Sequence, residues 1–205
     1  MTKRSEQKEA TRAALVQAAL RCFEQRGYAG VQVSDITDAA GVAKGTFYVH
    51  FETKDQILDA ILVDFNEALV AALMPVWSER AQRGARATLE RVADVFLDHW
   101  QANRAFVRAY AERTAVGINL EALQFGINPP MQVFLRAALS EGAKRKGYTD
   151  TTMELLIQAL LAAWMRLGLQ ALFNPAASRR EVRQALMEIT EALLLRIAPE
   201  LLQDR

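Results

Sequence analysis

Between positions 44 and 50 the chain offers a cation, two hydroxyls and an imidazole in close succession: Lys44, Thr46, Tyr48 and His50, with Gly45 among them. These groups can hydrogen-bond phosphate oxygens and the edges of bases. Lys44 can reach a phosphate or a guanine edge, and Thr46 offers a hydroxyl to phosphate and a methyl to thymine. Tyr48 and His50 present polar tips. Gly45 permits close approach of the backbone, and its cost of about 1 kcal/mol relative to alanine in a helix asks for a reason. Phe47 and Phe51 recur four residues apart on what would be the inner face of the same helix.

Other chemistry is poorly supplied. With His50, His99 and Cys22 as the whole complement of histidine and cysteine, no catalytic constellation, metal-spaced cluster or glycine-rich phosphate loop appears. No enzyme activity, metal or cofactor is expected. The single cysteine excludes an intramolecular disulfide. Its place between Ala19 and Phe23 in a helical pattern reads as a buried thiol rather than a redox sensor.

The elements that must position this set lie around it. Ser34 is placed to cap a short helix, followed by Ile36, Ala39 and Ala40 on one face. Gly41 ends that helix, because glycine adopts positive φ freely. Val42 pins the turn, and a second helix begins near Ala43 or Lys44. Two short helices about a tight turn form a helix-turn-helix, whose second helix enters a DNA major groove.

The run from Ile36 to Phe51, continued by Thr53-Lys54-Asp55, resembles the DNA-binding signature of the tetracycline-repressor (TetR) family. That family usually carries Ser or Thr where this chain has Ala43. The resemblance covers roughly residues 8–60, and beyond residue 60 it extends only to architecture. It implies an all-α protein of about nine helices, with a three-helix head and a helical ligand-binding and dimerisation body. It further implies a homodimeric regulator, most simply a repressor, released from a palindromic double-stranded DNA operator by a small molecule. The DNA-facing set is then Lys44, Gly45, Thr46, Tyr48, His50 and Lys54, with Ser34 and Thr37 from the first motif helix. The competing reading is a ligand-independent architectural or partner-binding DNA protein with a filled body.

Composition is compatible with this and does not demand it. The 205 residues are 51% hydrophobic with 5 Pro and 10 Gly, which suits a globular chain of one or two domains. Net charge is +1, and residues 1–54 hold eight Lys/Arg against six Asp/Glu, so DNA binding must rest on local charge. The polar N-terminus has no signal-peptide core. Leu155–Phe173 is nearly all apolar but contains Gln158, Arg166 and Gln170, and reads as a core or interface helix rather than a membrane span. A cytoplasmic location is expected.

Along the chain, residues 1–8 read as an arm, open between phosphate contact and an ordinary solvated terminus. A helix is expected over about 9–26, with Leu15, Ala18, Ala19, Cys22 and Phe23 as its apolar stripe. The DNA-binding domain is placed at 1–53 and the body at 54–205, linked by a helix over about 54–73. That helix opens on a Thr53–Gln56 capping box and is stopped by Pro75. A short segment at 76–84 holds Trp77. Helices follow over about 85–102, 103–116 and 130–146, with a helical turn near 119–126. Capping boxes at Thr151–Glu154 and Ser178–Glu181 open the last two helices.

Phe96, Trp100, Phe106, Tyr110, Phe125, Phe134, Trp164 and Phe173 are the body's large aromatics. The candidates to line a ligand cavity are Phe96, Trp100, Phe106, Tyr110, Phe134 and Trp164, with an apolar or aromatic ligand expected. His99, Arg108, Glu112, Arg113 and Asn119 are polar candidates for its mouth. Val182, Leu186, Ile189 and Leu193 recur at spacings of four, three and four, a coiled-coil-like seam. With Leu160 and Trp164 they form the expected four-helix dimer interface.

Overall fold

A computed structural model describes residues 3–116 and 129–203, leaving out the side chains of 115, 116 and 129. The described residues form helices and no strands. In order these are α1 (Lys3–Arg26), α2 (Val33–Ala40), α3 (Lys44–His50), α4 (Lys54–Ser78), α5 (Arg80–Arg83), α6 (Ala85–Ala102), α7 (Arg104–Val116), α8 (Pro129–Arg145), α9 (Asp150–Phe173) and α10 (Arg179–Ile197), then a 3₁₀ turn at Pro199–Leu202. The expected turn near 119–126, with Phe125 and Asn119, lies outside the described residues.

Two compact units emerge. One holds the described residues to Phe65 with those from Asn103 to Val116, and the other holds Asn66–Ala102 with the described residues from Pro129 on. In the first unit α1 packs on α2 and α7, and α2 on α3. Its core collects Leu15, Ala18, Ala19 and Phe23 from α1, Ile36 from α2, Phe47 from α3, and Ile57 and Leu58 from α4, all at 0% exposure. In the second unit α10 packs on α6 and α9, and α9 packs on α6 and α8. There Ile157 and Leu186 are fully buried, while Phe96 meets Trp100 and Trp164 at ring separations of 5.0 and 4.9 Å.

Several boundaries differ from the expectation. The N-terminal arm is helical from Lys3. Pro75 does not stop α4, which continues to Ser78. Pro75 falls in the last turn, where its missing N–H removes a single bond, and its own carbonyl accepts from the Glu79 N–H at 3.1 Å. Thr149, not Thr151, caps α9, its hydroxyl accepting from the Thr152 N–H at 3.1 Å. The Ser178–Glu181 capping box forms as expected, and hydrogen bonds from the Ser178 hydroxyl and N–H hold the Glu181 carboxyl below its usual range.

The α9 segment is long and apolar enough, by length and composition alone, to cross a membrane. Met153, Ile157, Leu160, Trp164, Gly168 and Leu172 form its buried line. Its outward line is Leu155, Ala159, Ala162 and Arg166. The predicted dimer seam therefore requires correction. Leu160, Trp164, Val182 and Leu186 are buried inside the single chain, and the Trp164 Nε1–H donates to the Thr190 hydroxyl at 2.9 Å. Of the expected interface set only Ile189 is exposed, at 40%, and Leu193 is half-buried. A spacing of four and three marks a buried stripe equally well when the partner helix belongs to the same chain.

Candidate nucleic-acid interface

The helix-turn-helix is assembled from short pieces that borrow their termini from each other. α2 begins one residue before Ser34, with Gln32 at its N-cap. The Gln32 N–H donates to the Asp35 carboxylate at 2.8 Å, and Arg26 donates to the same carboxylate at 2.6 Å. Those two interactions, the backbone one foremost, hold the Asp35 carboxyl below its usual range. Ser34 is exposed but is not the cap; its carbonyl accepts from the Thr37 hydroxyl at 3.0 Å. Thr37 is 2% exposed, so its hydroxyl serves α2 itself and is not presented to DNA, contrary to expectation. Ala39, expected on the inner face, is exposed, and its carbonyl accepts from Arg21 at 3.1 Å.

Gly41 makes the turn at φ 68°, ψ 32°, a left-handed conformation that side chains disfavour. The next N–H, on Val42, donates back to the Thr37 carbonyl at 3.0 Å. Ala43 then caps α3 with no side-chain bond, and its carbonyl accepts from the Thr46 N–H at 2.8 Å.

Seven residues make α3, too few to be stable alone, so its orientation depends on what it buries. Phe47 at 0% and Phe51 at 5% exposure anchor it, their rings 5.7 Å apart. That anchoring turns Lys44, Gly45, Tyr48 and Val49 outward, with Thr46 and His50 half-exposed. Lys44 has no ion pair or hydrogen bond among the described residues. A Cβ built on Gly45 meets nothing within 4 Å, so the fold does not require glycine there. Val49, 67% exposed, is an outward residue the sequence reading missed. The signal was available, since Val49 lies two positions from buried Phe47 and from buried Phe51, away from the inner face.

Lys54 departs from its expected role. Its ammonium donates to the carbonyls of Tyr28 and Val31 at 2.7 and 2.9 Å, and lies 4.1 Å from the centre of the Tyr28 ring. Burial pushes its pKa down. It ties α4 to the α1–α2 link instead of facing a phosphate. The Thr53 hydroxyl accepts from the Gln56 N–H at 3.2 Å, while the Gln56 side chain accepts from Glu52 N–H at 2.7 Å, one residue earlier than a regular capping box requires.

Residues far along the chain complete this unit. The Tyr28 N–H donates to Glu112 of α7 at 2.7 Å, and the Tyr28 hydroxyl donates to Asp55. Arg113 donates to the Asp59 carboxylate at 2.6 Å. Glu112 and Arg113 thus bind head elements rather than the mouth of a ligand cavity. Arg108 pairs with Glu112 at 2.9 Å. No local pattern announces these partners, which are separated by 84 and 54 residues.

The aromatic candidates divide. Phe96, Trp100 and Trp164 cluster in the second unit, where Phe134 instead meets Trp77 edge-on at 5.8 Å. Phe106 and Tyr110 belong to the first unit, with Phe106 also 5.0 Å from Phe65. A cleft of about 300 Å³ in the second unit is lined by Arg80, Ala81, Gly84, Ala85, Glu200, Leu201 and Gln203, and by none of these aromatics. Among the described residues no three His, Cys, Asp or Glu side chains group to hold a metal.

Residues 15–61 match the model of bacterial regulatory proteins of the tetR family. The chain is 26% identical over 162 residues to the transcriptional repressor KstR2 of Rhodococcus jostii, covering 77% of this chain and 78% of that protein. It is 39% identical over 62 residues to the transcriptional regulator TtgR of Pseudomonas putida, covering 30% of each. A TetR-family transcriptional regulator from Syntrophomonas wolfei shares the fold at TM-score 0.73 and 16% identity, with 91% of this chain and 96% of that one covered. An outward-facing α3 on a head that matches the tetR-family model, an all-helical fold and repressor relatives mark a DNA-binding transcriptional regulator similar to those of the TetR family.

Proposed function

We propose that the protein is a cytoplasmic homodimeric repressor that binds a palindromic operator through α3 and is released by a small apolar or aromatic ligand. Residues 1–53 act as the DNA-binding domain, and 54–205 carry ligand binding and dimerisation. The observation that carries the DNA reading is the outer face of α3. Lys44, Thr46, Tyr48, Val49 and His50 surround a glycine that the fold itself does not need. Lys44 takes a phosphate or guanine edge, Val49 meets a thymine methyl, and Gly45 lets the backbone come close.

Pairing of two copies is supported by the outward line of α9, Leu155, Ala159 and Ala162, together with Ile189 of α10. Two helices from each subunit would then form the interface, and a two-fold dimer presents its reading helices to two half-sites. The ligand is supported by the Phe96, Trp100 and Trp164 cluster, an apolar environment suited to an apolar or aromatic molecule. Whatever affinity the ligand loses on DNA binding, DNA loses on ligand binding.

Selection of bound fragments from the source genome by the purified protein tests this reading. A shared inverted repeat is the expected result, and fragments without a common motif would point to an architectural DNA protein. Gly45→Ala supplies a second arm. It should stabilise α3 by about 1 kcal/mol and yet weaken operator binding; unchanged or tighter binding would remove Gly45 from the interface.

A further inference from the structure

Near the start of α8 a polar side chain is turned inward. Met131 is buried and Val133 is 70% exposed. Gln132, between them, is half-buried, and its side-chain nitrogen is enclosed with no acceptor among the described residues. Gln132 shares a line of α8 with Leu135, Arg136, Leu139 and Ala143, at helical spacing. Leu139 and Ala143 are buried, and Arg136 pairs with Glu154 of α9, so this line faces the interior and α9. The two helices pack together and are joined by a short link over residues 146–149, so they run antiparallel. One turn back from Arg136, Gln132 is therefore level with residues 157–158 of α9.

The carboxylate nearest along this seam is already engaged. Glu154 takes Arg136 on one oxygen and the Gln158 amide, at 3.0 Å, on the other. An enclosed donor without an acceptor destabilises a fold, whereas an apolar side chain of the same length would not. Gln132 is thus a poor choice for packing and calls for another use. Its surroundings suggest one. Ile157 and Trp164 lie on the buried line of α9, about 10 Å apart along the axis at 1.5 Å per residue. A molecule of drug size spans that distance, from Gln132 to the Phe96–Trp164 pair.

We infer that Gln132 anchors the ligand, donating its side-chain N–H to a neutral carbonyl oxygen (ketone, ester or amide) on an otherwise apolar or aromatic molecule. The inference rests on the reading of the second unit as ligand-binding. Apolar sites fix the orientation of their ligands through a few placed polar groups. Neutrality follows from the charges. A carboxylate brought into this seam needs a cation to offset its lost hydration, and Arg136, one turn away, is held by Glu154. The anchor separates a carbonyl compound from the hydrocarbon of the same shape, because only the first gives the enclosed N–H an acceptor.

The test uses the purified full chain, wild type and Gln132→Met, with calorimetric titration of probe pairs that differ only by C=O against CH2. The pairs are acetophenone and ethylbenzene, benzophenone and diphenylmethane, anthrone and 9,10-dihydroanthracene. For each pair that binds, the affinity of the ketone relative to its hydrocarbon should fall about fivefold from wild type to Gln132→Met, the worth of one neutral hydrogen bond. Taking the ratio removes the difference in hydrophobicity between the two probes. Thermal unfolding followed by circular dichroism supplies the second readout. The variant should melt at or above the wild-type midpoint, because it loses an enclosed donor that has no acceptor. Pairs that bind with an unchanged ratio overturn the anchor and leave the ligand reading standing. A lower midpoint also overturns it, since the amide is then satisfied without a ligand. Benzoate binding more tightly than acetophenone overturns the neutral class. If no pair binds the wild type, the reading of the second unit as a site for apolar or aromatic ligands fails, and the anchor falls with it.

Discussion

The first unit and the second are held by different means. In the first, directional bonds cross between elements and finish one another's backbone: Lys54 on the Tyr28 and Val31 carbonyls, Glu112 on the Tyr28 N–H, Arg26 and the Gln32 N–H on Asp35. In the second, long helices press together. Gly168 lets α9 approach Trp100 so closely that an added Cβ would stand 2.6 Å from its ring, and Gly142 brings α8 against the Ile197 carbonyl at 2.3 Å from where a Cβ would be. Ion pairs such as Arg179–Asp98, at 2.8 Å, sit on its surface. Length explains the contrast. Helices of 8 and 7 residues bury too little to set their own orientation and need directional ties, whereas helices of 24 and 19 residues can rely on area.

Phe47→Ala should break the first unit most severely, costing about 3–5 kcal/mol for a fully buried aromatic. Hydrogen exchange should rise sharply in α2 and α3 with α9 protection retained; equal loss in α9 would erase the distinction between the units. Gly168→Ala strikes the second unit by overpacking, at about 1–3 kcal/mol in urea unfolding. Adding Trp100→Leu should recover part of that loss, and no recovery would place the clash elsewhere.

Lys54→Met sharpens the claim about polar ties. It removes charge-assisted hydrogen bonds of about 1.5–3 kcal/mol, partly offset because the burial that lowers the lysine's pKa no longer works against a charge. Stability should fall while the salt dependence of DNA binding stays the same; a shallower salt slope would return Lys54 to the phosphate backbone. The smallest effect belongs to Tyr28. Burial first, then its hydrogen bond to Asp55, raises the phenol's pKa above 10.0. A raised folded pKa means this stabilisation is complete below the unfolded value and declines as pH rises through and beyond about 10. Wild type should therefore lose more stability than Tyr28→Phe between about pH 9 and 11, and parallel curves would show that the hydroxyl contributes nothing.

The parts of the head that were legible are those whose cause is local. Gly41 requires its φ of 68° within one turn, and the buried pair Phe47 and Phe51 follows from helical spacing alone. Outward Lys44, Gly45 and Tyr48 follow from the same geometry. The misread residues depend on distant neighbours. The Lys54 ammonium looks available in sequence and is spent on the Tyr28 and Val31 carbonyls, which reach it only once the α1–α2 link and α4 are packed. The Thr37 hydroxyl is the exception, bonding the Ser34 carbonyl within α2 while packing buries it. In sequence Glu112 and Arg113 look like rim residues of a cavity, because nothing within α7 points to Tyr28 or Asp59.

Periodicity carries a similar limit in the second unit. The row Val182, Leu186, Ile189 and Leu193 declares an apolar face and is silent about which helix covers it. Packing on α6 and α9 took Val182 and Leu186 into the chain's own core and left Ile189 exposed. Helix periods, turn chemistry and the composition of α3 were thus determined by sequence alone, because they arise from interactions within a few residues. Tertiary structure decided which polar groups stay available and which apolar lines remain uncovered, because a hydrogen bond or a buried face is used up only when its partner arrives from elsewhere in the chain.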